Sequence, residues 1–239
     1  MAQTAICQFN TKLNLNFFMK TKVNLCTMLM LLASPFAGSK TFAQQGVSFK
    51  ASAGAQTSWI FNSDDSDVDG FSQKFYLHPA FSLGAGYNFT DNLGLGLDVM
   101  YSFQGRKYEI DDVEARLSMD YLKIPLYFHY NTNPASQWMF SANVGPQVGI
   151  LTRAKALDSD GNELGDIKDG YKDLTFGAFA SAGTEYKLTN NLNLFGLVRY
   201  DFDFSNCEDD EAAGYTDGRS SSHNSSLGIQ LGVRYLLGK

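Results

Sequence analysis

The sequence predicts an all-β protein: an eight-stranded antiparallel up-and-down transmembrane β-barrel. Three observations predict it. Eight segments carry a period of two, the connections alternate long and short, and the charges within the strands keep to one parity. The bulk numbers agree. A net charge of −6 over 239 residues argues against a nucleic-acid binder, which carries a basic stripe. An apolar content of 44% excludes wholesale disorder. A mean hydropathy of −0.20 excludes a helical membrane bundle but not a barrel, whose strands are only half apolar.

Residues 1–43 read as an export signal. They contain no Asp or Glu; Lys20 and Lys22 precede an apolar run from Leu25 to Ala37, and Thr41-Phe42-Ala43 forms a small-x-small cleavage site before Gln44. The run is too short for a stop-transfer helix. Met19 is the expected start, with residues 1–18 an over-extended reading frame. Cys26 precedes the apolar run, which argues against a lipoprotein anchor. Without residues 1–43 the chain keeps 15 basic and 25 acidic side chains, a net −10, and only Cys207 of its three cysteines. One cysteine makes no internal disulfide. The remaining 44–239 is expected to be one outer-membrane barrel domain.

The strands follow in order. The first is Val47–Phe61, with Phe49, Ala51, Ala53 and Trp59 on one face. The second is His78–Phe89, with Phe81, Leu83, Ala85 and Tyr87. The third, Leu93–Gln104, is the clearest: Leu93, Leu95, Leu97, Val99, Tyr101 and Phe103 alternate with small or polar residues over twelve positions. A soluble strand averages about 5–6 residues, whereas a tilted membrane strand needs about 9–11. The fourth is Met119–Tyr130, the fifth Trp138–Leu151, the sixth Asp173–Lys187, the seventh Leu192–Phe202 and the eighth Ser226–Leu237. Each repeats the alternation, although Pro125, Pro146, Phe195 and Leu197 break the pattern locally, as bulges or lumen packing. Aromatic residues gather near strand ends, as interfacial girdles do.

Nine ionisable side chains fall well within these strands: Lys50, Asp98, Lys123, Asp173, Glu185, Lys187, Arg199, Asp201 and Arg234. All nine share the parity opposite the apolar row. Arg or Lys facing lipid at mid-bilayer costs roughly 2–4 kcal/mol, so the apolar row faces lipid and the charged row a lumen. Parity alone fits a soluble sandwich or lipocalin-like barrel turned the other way; strand length and the export signal favour the bilayer. Three connections are short (90–92, 131–137, 189–191) and four long (62–77, 105–118, 152–172, 203–225). The long ones hold 19 of the 25 acids. Strict alternation suits short periplasmic turns and long external loops, and an open sheet edge is not viable in lipid, so the strands should close.

Four segments resemble the PorT-like outer-membrane β-barrel family common in Bacteroidetes. Tyr121-Leu122-Lys123-Ile124-Pro125-Leu126 resembles its "YLEIPL" strand, and Gly145-Pro146-Gln147-Val148-Gly149-Ile150-Leu151 its "GPQVGYLL" strand. Gly46–Ala51 resembles its opening strand and Leu97–Gly105 its "ELLYSQQG" segment. The likeness spans most of residues 46–238. It implies a small OmpA/OmpX-like barrel in the outer membrane and, by analogy with the founding PorT protein, a secretion- or gliding-associated role as an alternative function. The sequence departs from the pattern at Lys123, where the family has an acid. It departs again at Asp201-Phe202-Asp203-Phe204, where the family has Gly-Leu-Thr-Asn, and at the Leu237-Gly238-Lys239 end.

Signals of chemistry are weak. Asp65-Ser66-Asp67-Val68-Asp69-Gly70 matches half of an EF-hand loop, but the twelfth position is Tyr76, not Glu. Asp158-Ser159-Asp160-Gly161-Asn162-Glu163 is a similar fragment. Both read as solvated acidic loops. Ser220-Ser221-Ser222-His223 is the one hint of a rim lipid-modifying hydrolase, and it reads better as a flexible loop. Glu208-Asp209-Asp210-Glu211 reads as a solvated tip or one bridged by divalent ions, with Cys207 a free thiol beside it. An eight-stranded barrel is just wide enough for side chains to fill, which argues against a general porin and leaves a narrow channel as an alternative. The expectation is therefore a monomeric outer-membrane barrel with a structural or surface-binding role. It has no catalytic, cofactor or metal site, and no nucleic-acid partner. Its partners are outer-membrane lipid, lipopolysaccharide and an unknown extracellular or secretion-system protein.

Overall fold

The computed structural model describes residues 46–64, 72–110, 113–133, 135–212 and 215–237. The signal segment, Cys7, Cys26 and the Asp65–Gly70 motif lie outside the described residues. Ten strands form one antiparallel sheet: β1 (Gly46–Phe61), β2 (Ser72–Lys74), β3 (His78–Asn88), β4 (Leu93–Ile110), β5 (Val113–Asn131), β6 (Trp138–Leu157), β7 (Glu163–Asp166), β8 (Leu174–Lys187), β9 (Leu192–Asp203) and β10 (His223–Leu236). Eight are long and each pairs with its sequence neighbour. β1 pairs with β10 from Ser48↔Leu236 to Phe61↔His223, which closes the sheet into a barrel. β2 and β7 are short ribbons on the flanks of β4 and β6.

The pleat has the predicted direction. Leu95, Leu97 and Val99 are 41%, 44% and 48% exposed, while Lys123 and Arg199 are 1% and 3% exposed. Seven of the nine strand charges point inward and are buried. Asp173 does not: it precedes β8, its side chain is 73% exposed, and it pairs with Lys168 at 2.8 Å. Lys187 ends β8 half-buried. Two inward charges fall where loops were expected, Arg106 and Asp203, because β4 and β9 keep their alternation past Gln104 and Phe202. The lumen thus holds five cations (Lys50, Arg106, Lys123, Arg199, Arg234) and four carboxylates (Asp98, Glu185, Asp201, Asp203) among the described residues. Phe195 and Leu197 are lumen packing, both buried.

The 105–118 connection is not a loop. β4 and β5 stay paired to Ile110↔Val113 and stand beyond the outer aromatic belt as a hairpin arm. The belt includes the Tyr101–Phe103 and Phe61–Phe202 ring contacts. The prolines are not bulges either. Pro125 and Pro146 leave gaps in the β4–β5 and β5–β6 ladders where an N–H donor is missing, and the register is unchanged across both. The β5–β6 bulge sits instead at Asp120/Tyr121, opposite the extra residue Thr152.

Two of the short turns are built alike. Thr90 Oγ1 accepts the N–H groups of Asn92 and Leu93, and Asn92 Nδ2 donates 2.7 Å to the Asn131 carbonyl of β5. Thr189 Oγ1 likewise accepts from Asn191 and Leu192, and Asn191 Nδ2 donates 2.9 Å to the Leu236 carbonyl. Each Thr closes its turn and each Asn staples it to the next strand. The flanking strands match as well: Tyr87, Thr90, Asn92, Leu93, Leu95, Val99 and Tyr101 recur 99 positions later as Tyr186, Thr189, Asn191, Leu192, Leu194, Val198 and Tyr200. The β3–β4 and β8–β9 hairpins are four barrel strands apart, so the same hairpin recurs on opposite sides of the barrel.

Candidate functional site

The lumen is filled from the short-turn end to the long-loop end. At the short-turn end Glu185 of β8 accepts from Arg234 at 2.9 Å, from Ser141 at 3.2 Å and from Asn193 at 3.2 Å. His129 of β5 lies 2.7 Å from Asn143 Oδ1, and Arg234 reaches 3.4 Å from the same Nδ1. β5 and β10 face each other across the barrel, so this contact spans its full width.

At mid-height Lys50 lies 2.5 Å from Asp98, and the Tyr127 hydroxyl donates to Asp98 at 2.8 Å while accepting from Lys50 at 2.9 Å. The Tyr127 ring rests on Gly96: a Cβ there would stand 2.3 Å from Cζ and 2.6 Å from Cε2. Gly96→Ala is therefore expected to displace the ring and cost about 1–3 kcal/mol, the range for overpacking a tight site. Chemical unfolding in phospholipid vesicles measures it. Tyr127→Phe should not rescue the variant, because the clashing ring atoms remain; Tyr127→Leu should rescue it in part.

A second knot lies above. The Arg199 guanidinium forks onto Asp201 at 2.8 and 3.0 Å, lies 3.8 Å over the Phe179 ring, and donates to Gln147 at 3.0 Å. Lys123, from β5, reaches the same Asp201 at 3.6 Å. A void beside Met100, Arg199 and Asp201 holds about 10 Å³, room for at most one water. Near the long-loop end Arg106 of β4 donates to Asn224 of β10 at 2.5 Å, and Asn224 donates 3.1 Å to the Tyr121 hydroxyl of β5. That bond again crosses the whole lumen. Met119, Tyr121, Leu151 and Ala154 pack above it as a small apolar core.

The long connections 158–173 and 204–222 meet over this core. Lys172 N–H donates to the Cys207 carbonyl at 2.9 Å and Asp209 N–H to the Gly170 carbonyl at 3.0 Å. Lys172 pairs with Asp210 at 2.7 Å, and Arg219 pairs with Glu208 at 2.8 and 3.3 Å. The Glu208–Glu211 run is thus a set of clasps and not a free tip. The nearby Asp210 carboxylate holds the Lys172 amine above its ordinary range. Cys207 is fully buried under this roof, and burial pushes its thiol up to about 12, which suppresses the thiolate.

The remaining motifs take structural roles. Asp158 accepts from the backbone of Asp160 and Asn162 and from the Asn162 side chain, so its oxygens close a hairpin turn, and Glu163 pairs with Lys155. Ser220 and Ser222 are held by Asp64 and Asn62, while His223 packs on Phe202 and its Nδ1 has no hydrogen-bond partner. The Ser-His hint therefore yields no nucleophile–base bond among the described residues. Asp64 accepts both the Ser220 N–H and hydroxyl at 2.8 Å, and these bonds hold its carboxyl below the usual aspartate range. The clasp is intact above that ordinary range and loosens as pH falls through the lowered value. The protection factor of the Ser220 amide, its exchange rate corrected for the intrinsic pH dependence, should fall on acidification in the native protein and be lowered and pH-independent in Asp64→Asn.

Residues 42–208 match the family described as "Outer membrane protein beta-barrel domain". No curated protein sequence matches the chain. Among solved structures, Neisserial surface protein A is 17% identical with a TM-score of 0.43, the match covering 81% of this chain and 100% of that one. OprG from Pseudomonas aeruginosa is 12% identical with a TM-score of 0.46, covering 82% and 98%. Outer Membrane Protein W of E. coli is 17% identical with a TM-score of 0.38, covering 81% and 99%.

Proposed function

Since the chain belongs to the outer membrane protein β-barrel domain family, we propose that it is a non-catalytic, monomeric surface barrel whose lumen is a structural plug and whose working end is the long-loop face. The observation that carries this reading is the full-width lumen hydrogen bond from Asn224 to the Tyr121 hydroxyl at 3.1 Å, with Arg234 packed 3.4 Å from His129 across the other end. A chain that conducts solute has no use for hydrogen bonds across its own bore. Ions would have to break a network that replaces their hydration only for the protein's own charges. Residues 1–43 are proposed to be a cleaved export signal, so the mature N-terminus should be Gln44. Lipid and lipopolysaccharide surround the apolar belt, and the acidic loops face outward.

Planar-bilayer recording tests the plug. Purified protein is expected to show no stable conductance steps. Removing the bridging groups, as Arg106→Ala with Tyr121→Ala, should open transient ones. Stable steps from the unaltered protein would overturn the reading.

A further inference from the structure

The roof over the mouth carries an open cavity of about 510 Å³ that none of the lumen contacts uses. Its floor is apolar and aromatic: Leu117 of the hairpin arm, Ile167 and Tyr171, with Ile167 and Tyr171 seated on the small core below. Tyr215 also lines it, its hydroxyl donating to the Arg219 carbonyl at 3.3 Å. The polar wall is the Glu208–Arg219 pair, with Asp209 beside it. We propose that this cavity is a binding site for a neutral saccharide at the cell surface, a proposal that rests on the surface-binding reading above and names its ligand class.

Three features select that class. First, the charge of the wall excludes anions. Arg219 is already neutralised by Glu208, and Asp209 leaves the lining with a net negative charge. The acid-rich loops around it extend the same field outward, repelling phosphate and carboxylate ligands. Second, the lining is two-sided. A sugar ring presents C–H groups that suit tyrosine rings and aliphatic side chains, and hydroxyls that both give and accept hydrogen bonds. A carboxylate and a planar guanidinium fixed side by side meet paired hydroxyls with an acceptor and a row of donors. A purely apolar ligand would leave that ion pair desolvated and unmatched. Third, the site is preformed. Tyr171 is bridged to Glu208 through the backbone, Asp209 N–H is tied to Gly170, and Lys172 is tied to Cys207 and Asp210. Little ordering entropy is therefore spent on binding, which matters for ligands that gain little from each contact.

The test uses the purified full-length mature barrel in a zwitterionic amine-oxide detergent, since glucoside detergents would compete. Saturation-transfer NMR is recorded with cellobiose, maltose, lactose and N,N′-diacetylchitobiose at millimolar concentration. At least one should receive saturation, and Tyr215→Ala and Glu208→Gln should each weaken its affinity by about tenfold. Heat-modifiable migration on gels confirms that both variants are folded; Tyr215 lies in a loop, so its removal leaves the barrel intact. Glucose-6-phosphate should give no transfer. The proposal is overturned if none of the disaccharides binds, if both variants bind as the unaltered protein does, or if the phosphorylated sugar binds more tightly than the neutral ones. The bilayer recording reads the plug separately, so a silent barrel that ignores saccharides removes this site and leaves the plugged-barrel reading standing.

Discussion

Asp201→Leu is expected to destabilise the folded barrel by about 3–5 kcal/mol, the cost of leaving buried charges uncompensated. Asp201 is the shared acceptor for Arg199 and Lys123, and it also takes a 3.3 Å bond from Ser226. Its removal strands two cations in a lumen with no bulk water to solvate them. Unfolding by denaturant in phospholipid vesicles, followed through Trp59 and Trp138, gives the number. Asp201→Asn should cost less, since it keeps a neutral acceptor. A loss below about 1 kcal/mol for the leucine variant, the value of an exposed pair, would show that the knot is solvated and the plug reading wrong.

Two positions at which the sequence departs from the PorT-like resemblance meet in this knot. Lys123 stands where the resemblance expects an acid, and Asp201 where it expects glycine. In space they are partners 3.6 Å apart. Lys123 of β5 and Arg199 of β9 thus converge on one carboxylate. Asp201→Gly alone should behave like the leucine variant. Combined with Lys123→Glu it should regain a large part of the loss, because one carboxylate again faces the guanidinium.

Val198→Arg is expected to cost about 2–4 kcal/mol by the same measurement. Val198 is 53% exposed near the middle of β9, and its register partners Ile229 and Ala182 are apolar on the same outer face. An arginine there must carry its charge at mid-bilayer or bend to reach an interface. Val198→Thr should cost far less. The loss should shrink for an arginine placed at Phe204, beyond the outer girdle. Equal tolerance at both positions would mean that this face does not meet hydrocarbon.

Most of the architecture was legible from residue order. A period of two is a property of the strand itself, so the parity of Leu95 against Asp98, or of Val198 against Arg199, fixes which side chains share a face before any partner strand is known. Loop lengths gave the up-and-down order for the same reason: they are local. The errors were local too. Gly105 and the acids after it looked like the end of a strand, but the β4–β5 hairpin keeps pairing outside the membrane, and Arg106 enters the lumen as a result. Asp173 looked like a strand residue because alternation runs on into a loop with no signal at the boundary.

The sequence by itself determined a closed sheet with its grease outward and its charges within, because the side-chain period, strand length and turn chemistry are written in consecutive residues. Only the tertiary structure decided which charge meets which. Lys123 with Asp201, Arg106 with Asn224, and Tyr171 with Glu208 beside the cavity are contacts between strands or loops far apart in the chain. Barrel closure and the strand register bring them together, and neither quantity leaves a trace in the spacing of residues along a single strand.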